Sequence, residues 1–219
     1  MLGGDRKTVG HGMNEEIANS ISHGIGLLLA IAMVPVLIVT AMAVGSIHFL
    51  VGVSVFGGTT VLLYFASTFY HSLTHARAKH FFRLFDHSAI FLLIAGTYTP
   101  FTLGVLRGPW GWTLLVIVWV LAVAGVTMKA IIGTRHIWIS IVLYLLMGWL
   151  ALVAVKPILQ LVPLPGILLI LAGGVAYTSG LLFFGAKGLR YNHFIWHLFV
   201  IAGTTCHFFA VLWYAAEKG

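Results

Sequence analysis

The sequence predicts an all-α polytopic membrane protein: one domain over residues 1–219, built as a bundle of seven transmembrane helices. Three observations carry that expectation. The chain is 60% hydrophobic and only 8% charged, with a mean hydropathy of +1.05; a water-facing domain carries about a quarter of its residues as charges. Seven apolar runs approach the roughly 20 residues needed to cross a hydrocarbon core, at residues 21–44, 49–72, 84–105, 110–132, 137–155, 164–184 and 194–214. Lysine and arginine gather in every second break between those runs, as they do in membrane proteins of fixed orientation.

The first run follows a short polar segment, residues 1–16. Ala41-Met42-Ala43 resembles a leader cleavage site, but the apolar stretch ahead of it exceeds the roughly 7–15 residues of a leader core, so we read it as a span. Glu15 or Glu16, then Asn19, Ser20 and His23, form a polar stripe at helical spacing. On the second run Tyr64, Ser67 and His71 repeat such a stripe, and Asp86 opens the third run. Arg107-Gly108-Pro109 and Pro163-Leu164-Pro165 punctuate later breaks. His193 and His197 open the seventh run, four residues apart. Trp110, Trp112, Trp138, Trp196 and Trp213 mostly lie near span ends, as an aromatic belt does. The glycine pairs Gly24 and Gly26, Gly57 and Gly58, and Gly173 and Gly174 read as close helix packing rather than phosphate loops.

Counting cations by side gives Arg6, Lys7, Arg77, Lys79, Arg83, Lys129, Arg135, Lys187 and Arg190 against Arg107, Lys156 and Lys218. Nine against three places the N-terminus in the cytoplasm and the C-terminus outside. The same distribution accounts for the net charge of +7 without a nucleic-acid partner, because no continuous basic face is formed. Cys206 is the only cysteine, which rules out an intrachain disulfide and a cysteine-rich zinc site. No long linker or internal repeat suggests a duplicated transporter, and the seventh run lacks the lysine of a retinal pump.

His71, Asp86, His193 and His197 all fall on the cytoplasmic edge of the predicted bundle. Polar groups at membrane depth are expensive enough to mark function. His193 and His197 share one helix face with Cβ atoms about 5–6 Å apart, close enough to hold one ion. Asp86 alone reads as an acid at a positive helix N-terminus; beside three histidines it reads as a general base. His11, His48, His75, His80 and His136 sit in or beside loops and are read as interfacial, with His75 a substitute for His71. His87 points about 100° away from Asp86, and His207 is read as a helix-to-helix hydrogen bonder. Glu16, Asn19 and His23 are expected either to pack inward or to support the ligands by hydrogen bonds.

Glu16-Ile17-Ala18-Asn19-Ser20-Ile21-Ser22-His23, Ser67-Thr68-Phe69-Tyr70-His71, Asp86 and His193-Phe194-Ile195-Trp196-His197 resemble the hemolysin III branch of the progestin and adipoQ receptor family. The resemblance runs from about residue 15 to residue 214. It implies a seven-helix bundle with a cytoplasmic N-terminus and zinc held by His71, His193 and His197. It also makes Asp86 the partner of a metal-bound water and Ser67 a supporting polar residue. The wider superfamily is similar to alkaline ceramidases, membrane enzymes that hydrolyse lipid amides. The short N-terminal segment looks like the bacterial form, in a plasma (inner) membrane, rather than an animal receptor.

The expectation is therefore a zinc-dependent hydrolase of a membrane lipid amide or ester. Asp86 would take a proton from the zinc-bound water and Ser67 would donate to the developing oxyanion. The alternatives are a non-catalytic receptor-like or membrane-homeostasis regulator with structural zinc, and a hemolysin, channel or transporter.

Overall fold

α1, Met13–Val44, is 32 residues long, with a polar stripe in its first three turns and almost unbroken apolar sequence after His23, and at ~1.5 Å per residue it outreaches the ~30 Å hydrocarbon core. It stops at Gly45, whose φ of 74° is a left-handed conformation that glycine adopts without strain. Ser46 then caps α2, Ile47–Ser72, its hydroxyl accepting from the Phe49 N–H at 3.3 Å. The computed structural model describes residues 12–216. Helices α3 (Ala76–Leu103), α4 (Pro109–Ile132), α5 (Ile137–Gly148), α6 (Val155–Leu161), α7 (Leu164–Gly185) and α8 (Asn192–Tyr214) follow, with no strand among the described residues. Arg6, Lys7, His11 and Lys218, and most of the polar segment 1–16, lie outside the described residues.

Among the described residues six stretches are long and apolar enough to cross a membrane: α1, α2, α4, the unit from Ile137 to Leu161, α7 and α8. The predicted third span differs from them. α3 begins two turns before residue 84, because His75 caps it through Nδ1, which accepts from the Ala78 N–H at 3.5 Å. Its opening turns carry Arg77, Lys79, His80 and Arg83, so hydropathy alone could not reveal them as helix. The remainder is less apolar than the other spans, carrying Asp86, His87, Thr97, Thr99 and Thr102, for a physical reason: α3 lies between α2 and α4, so much of its surface meets protein. A Cβ on Gly52 would stand 2.7 Å from the Pro100 backbone, while at the other end Phe69 stacks on Phe82 and Phe65 meets it at a tilt. The two helices thus run antiparallel along their whole length.

The predicted fifth span is broken. α5 ends at Gly148, a 3-10 turn covers Leu150–Ala154, and α6 carries the chain on to Leu161. Pro157 has no N–H for the Val153 carbonyl, and its ring would clash with that group in a continuous helix. Backbone polar groups freed inside a bilayer need internal partners. Tyr98 supplies them: its hydroxyl lies 2.9 Å from both the Met147 and the Gly148 carbonyls and accepts from the Ala151 N–H at 2.9 Å. Trp149 at the break donates from Nε1 to Thr178 Oγ1 on α7 at 3.1 Å.

α7 lies on α8 through glycines seven residues apart. A Cβ on Gly166, Gly173 or Gly180 would fall within 2.8 Å of Tyr214, His207 or Phe199 and Trp196 respectively. Small residues at this spacing let two helices approach until side-chain dispersion holds them, the driving force left when lipid removes the hydrophobic one. α8 in turn meets α1, and α1 meets α2 where Tyr64 covers Gly26. This closure brings the first and last helices together around the polar cluster.

Candidate metal centre

His71 sits in the last turn of α2, and His193 and His197 in the first two turns of α8. α8 starts abruptly because Tyr191 takes a left-handed φ of 59°, rare for a residue with a side chain, and Asn192 Nδ2 donates to the Phe184 carbonyl at 3.3 Å. Those two features aim His193 inward. The ring centroids lie 4.9 Å apart for His71 and His193, 5.0 Å for His71 and His197, and 4.6 Å for His193 and His197. One nitrogen from each ring falls within 4.8 Å of the others, and all three residues are buried. Zinc bound at about 2.0–2.1 Å would draw such nitrogens to roughly 3.4 Å, a closure that small rotamer changes supply. Three buried imidazoles are a donor set that fits zinc.

Two of the three rings, those of His71 and His197, are held from behind. His71 Nδ1 lies 2.9 Å from Glu16 Oε2, which also takes the Lys79 ammonium at 3.1 Å. His197 Nδ1 lies 3.2 Å from the Asn19 carbonyl and 3.0 Å from Ser22 Oγ. A carbonyl or a carboxylate can only accept, so each Nδ1 carries the proton and each Nε2 is left as the ligand atom. Asn19 therefore acts through its backbone carbonyl, and its side-chain amide has no hydrogen-bond partner among the described residues. His23 acts as a flat wall, stacked on His197 at 3.5 Å and edge-on to Tyr64 at 5.1 Å.

Asp86 and Ser67 stand beside each other, both buried. They share the wall of one cavity with His23, His193 and His197. Asp86 lies outside the group of three clustered imidazoles. The cavity measures about 290 Å³ and continues away from the histidines between α3, α5, α6 and α7, past Leu152, Ile158, Ile170 and Leu171. His75 cannot replace His71, since it is exposed and spent as the α3 cap. His207 reaches across to α7, 3.2 Å from the Ile170 carbonyl.

Sequence reasoning missed Ser22 and Lys79. Ser22 lies three residues after Asn19 and so belongs to the α1 stripe, but an apolar helix with a serine is too common to single out. Lys79 was visible only as an orientation signal.

A membrane-embedded helical bundle with a buried set of three histidines able to hold a metal ion is the class that fold and cluster define. A family model described as Haemolysin-III related matches residues 11–208, and the chain belongs to that family. It is 48% identical over 202 residues to "Hemolysin-3" of Bacillus cereus, covering 92% of each chain. It is 46% identical over 205 residues to the "Hemolysin-3 homolog" of Bacillus subtilis (strain 168), covering 94% of this chain and 96% of that one. A more distant likeness, 26% over 167 residues, extends to the human "Monocyte to macrophage differentiation factor", covering 72% of this chain and 67% of that protein.

Proposed function

We propose that this protein is a zinc-dependent hydrolase of a lipid amide or ester, acting at the cytoplasmic edge of a bacterial plasma membrane. In this reading α3 makes the seventh crossing, the N-terminus is cytoplasmic and the C-terminus is outside. The observation that carries the reading is the cavity: Asp86, Ser67, His193 and His197 line one end and aliphatic side chains the other. A lipid with a polar head and an acyl tail matches that polarity.

Zinc bound by His71, His193 and His197 supplies Lewis-acid activation of a water and of a carbonyl. Glu16 and the Asn19 carbonyl hold two of the imidazoles in the tautomer that ligation requires. Asp86 accepts the proton of the attacking water and returns it to the leaving amine or alcohol. Ser67 donates to the oxygen on which charge develops. Burial around His23 and Tyr64 excludes competing water and strengthens each of these interactions.

The test is turnover of a panel of N-acyl amides and acyl esters by purified protein, with released fatty acid measured by mass spectrometry. Asp86→Asn is expected to keep its zinc and lose roughly a hundredfold or more of the rate. Full turnover by that variant would overturn the assignment.

One observation favours a second reading. The break in the fifth span is a feature of transporters, and ion flux in liposomes abolished by His193→Ala would establish transport. Tyr98, however, occupies the carbonyls that such a break would otherwise offer to an ion.

A further inference from the structure

A second polar group, Lys129, His87, Arg83 and Ser140, does not line the cavity and plays no part in the hydrolytic reading. Lys129, in the last turn of α4, is 1% exposed, and its ammonium has no hydrogen-bond partner among the described residues. Lysine near a helix end ordinarily extends its head into water; here the head is enclosed. Packing sets what it faces. Gly133 sits against Leu84 and Gly125 against Phe91, so the antiparallel register places Lys129 opposite His87.

His87 lies within electrostatic reach of both Lys129 and Arg83. α5 completes the cluster: Tyr144 donates to the His87 carbonyl at 2.6 Å, and Ser140 stands beside it one turn earlier, 0% exposed. His87 Nδ1 and Arg83 Nε are buried atoms without hydrogen-bond partners among the described residues, while Arg83 Nη2 lies 3.2 Å from His80 Nδ1 and the Ser140 hydroxyl is within hydrogen-bonding reach of Tyr144.

No described carboxylate forms an ion pair with Lys129. Glu16 is engaged by His71 and Lys79. Asp86 faces Ser67 in the cavity, whose walls include neither Lys129 nor His87. Buried charges are stable only when paired. Two cations, Lys129 and Arg83, thus lie within electrostatic reach of His87, whose carbonyl is held by the Tyr144 that neighbours Ser140, at the end of the bundle whose loops carry most of the lysine and arginine.

We propose that Lys129, His87, Arg83 and Ser140 form a second site that binds a phosphate group. An ammonium, a guanidinium, an imidazole and a hydroxyl together suit the several acceptor oxygens of phosphate better than the two of a carboxylate. Basic pockets between membrane helices take lipid headgroups in this way. Arg83 and His87 are partly exposed and lie on the approach from solvent, while Lys129 and Ser140 are buried. The source of the phosphate is either a phospholipid headgroup or the free anion.

The experiment follows thermal unfolding of the full chain by tryptophan fluorescence in a phosphate-free neutral detergent. Inorganic phosphate, short-chain phosphatidylglycerol, short-chain phosphatidylcholine or dioctanoylglycerol is titrated at constant ionic strength. A phosphate-bearing ligand is expected to raise Tm saturably, while dioctanoylglycerol does not. Lys129→Met is expected to weaken that apparent affinity roughly tenfold or more, and Ser140→Ala by a smaller factor, with zinc content unchanged in both. A response to inorganic phosphate assigns the free anion; a response to the phospholipids alone assigns the headgroup. No saturable rise with any phosphate source, or wild-type affinity in Ser140→Ala and Lys129→Met alike, overturns the proposal. Should Lys129→Met not fold, the Ser140→Ala titration decides.

Discussion

Glu16 and His71, 55 positions apart in the chain, meet at 2.9 Å between Oε2 and Nδ1. The contact turns the imidazole so that its other nitrogen points toward His193 and His197, and it does so with a group for which the sequence left inward packing and support of the ligands equally open. Carboxylates behind metal-binding histidines raise ligand basicity and fix the ring. Glu16→Ala is therefore expected to lower zinc affinity about 10–100-fold, measured by competition with a chromogenic chelator. Unchanged affinity would show that the pair only joins α1 to α2.

Direct ligands should behave differently from their supports. His71→Ala and His197→Ala are each expected to abolish stoichiometric zinc in purified protein, measured by elemental analysis, whereas Asp86→Asn keeps one equivalent. A Zn site that survives loss of either histidine is not the one described by the three clustered rings.

Ser22 and the Asn19 carbonyl share His197 Nδ1. Because the carbonyl survives any substitution, Ser22→Ala is expected to cost less than Glu16→Ala, a fewfold loss of zinc affinity at most. A Ser22→Ala protein as impaired as Glu16→Ala would mean that the hydroxyl, not the backbone, sets the tautomer.

Tyr98→Phe removes one oxygen and leaves the Met147 and Gly148 carbonyls and the Ala151 N–H without it. The expected destabilisation is about 1–3 kcal/mol, the cost of buried polar groups left unsatisfied, read as a fall in Tm with zinc content intact. An unaltered Tm would imply that water or lipid reaches the break.

At Gly173 an added methyl would come 2.5 Å from His207 Nε2. Gly173→Ala should displace that ring from the Ile170 carbonyl and destabilise by about 1–3 kcal/mol, as overpacking does. Gly148→Ala meets nothing within 4 Å and serves as the control.

Membrane residence and helical class were legible because they are sums over local composition: apolar runs, sparse charge and breaks rich in proline and glycine. His193 and His197 were legible as a pair because helical spacing is itself local. The early start of α3 was not, since its first turns are as polar as a loop and only the His75 cap distinguishes them. Nor was the interruption after Gly148, where Pro157 acts at a distance of one helical turn within a segment whose hydropathy is uniform.

Composition and periodicity established a helical membrane chain carrying imidazoles and a carboxylate near one edge of its spans. Folding chose their company. Which face of α1 meets α8 depends on close approaches such as Tyr64 over Gly26, and only that rotation brings Glu16 to His71 and the Asn19 carbonyl to His197. The same holds for Lys129, in the sequence only one more cation in the count by side, which the antiparallel register of α3 and α4 encloses opposite His87. Helix propensity and hydrophobicity act along the chain, whereas these encounters depend on side-chain volumes at contacts between residues far apart in it.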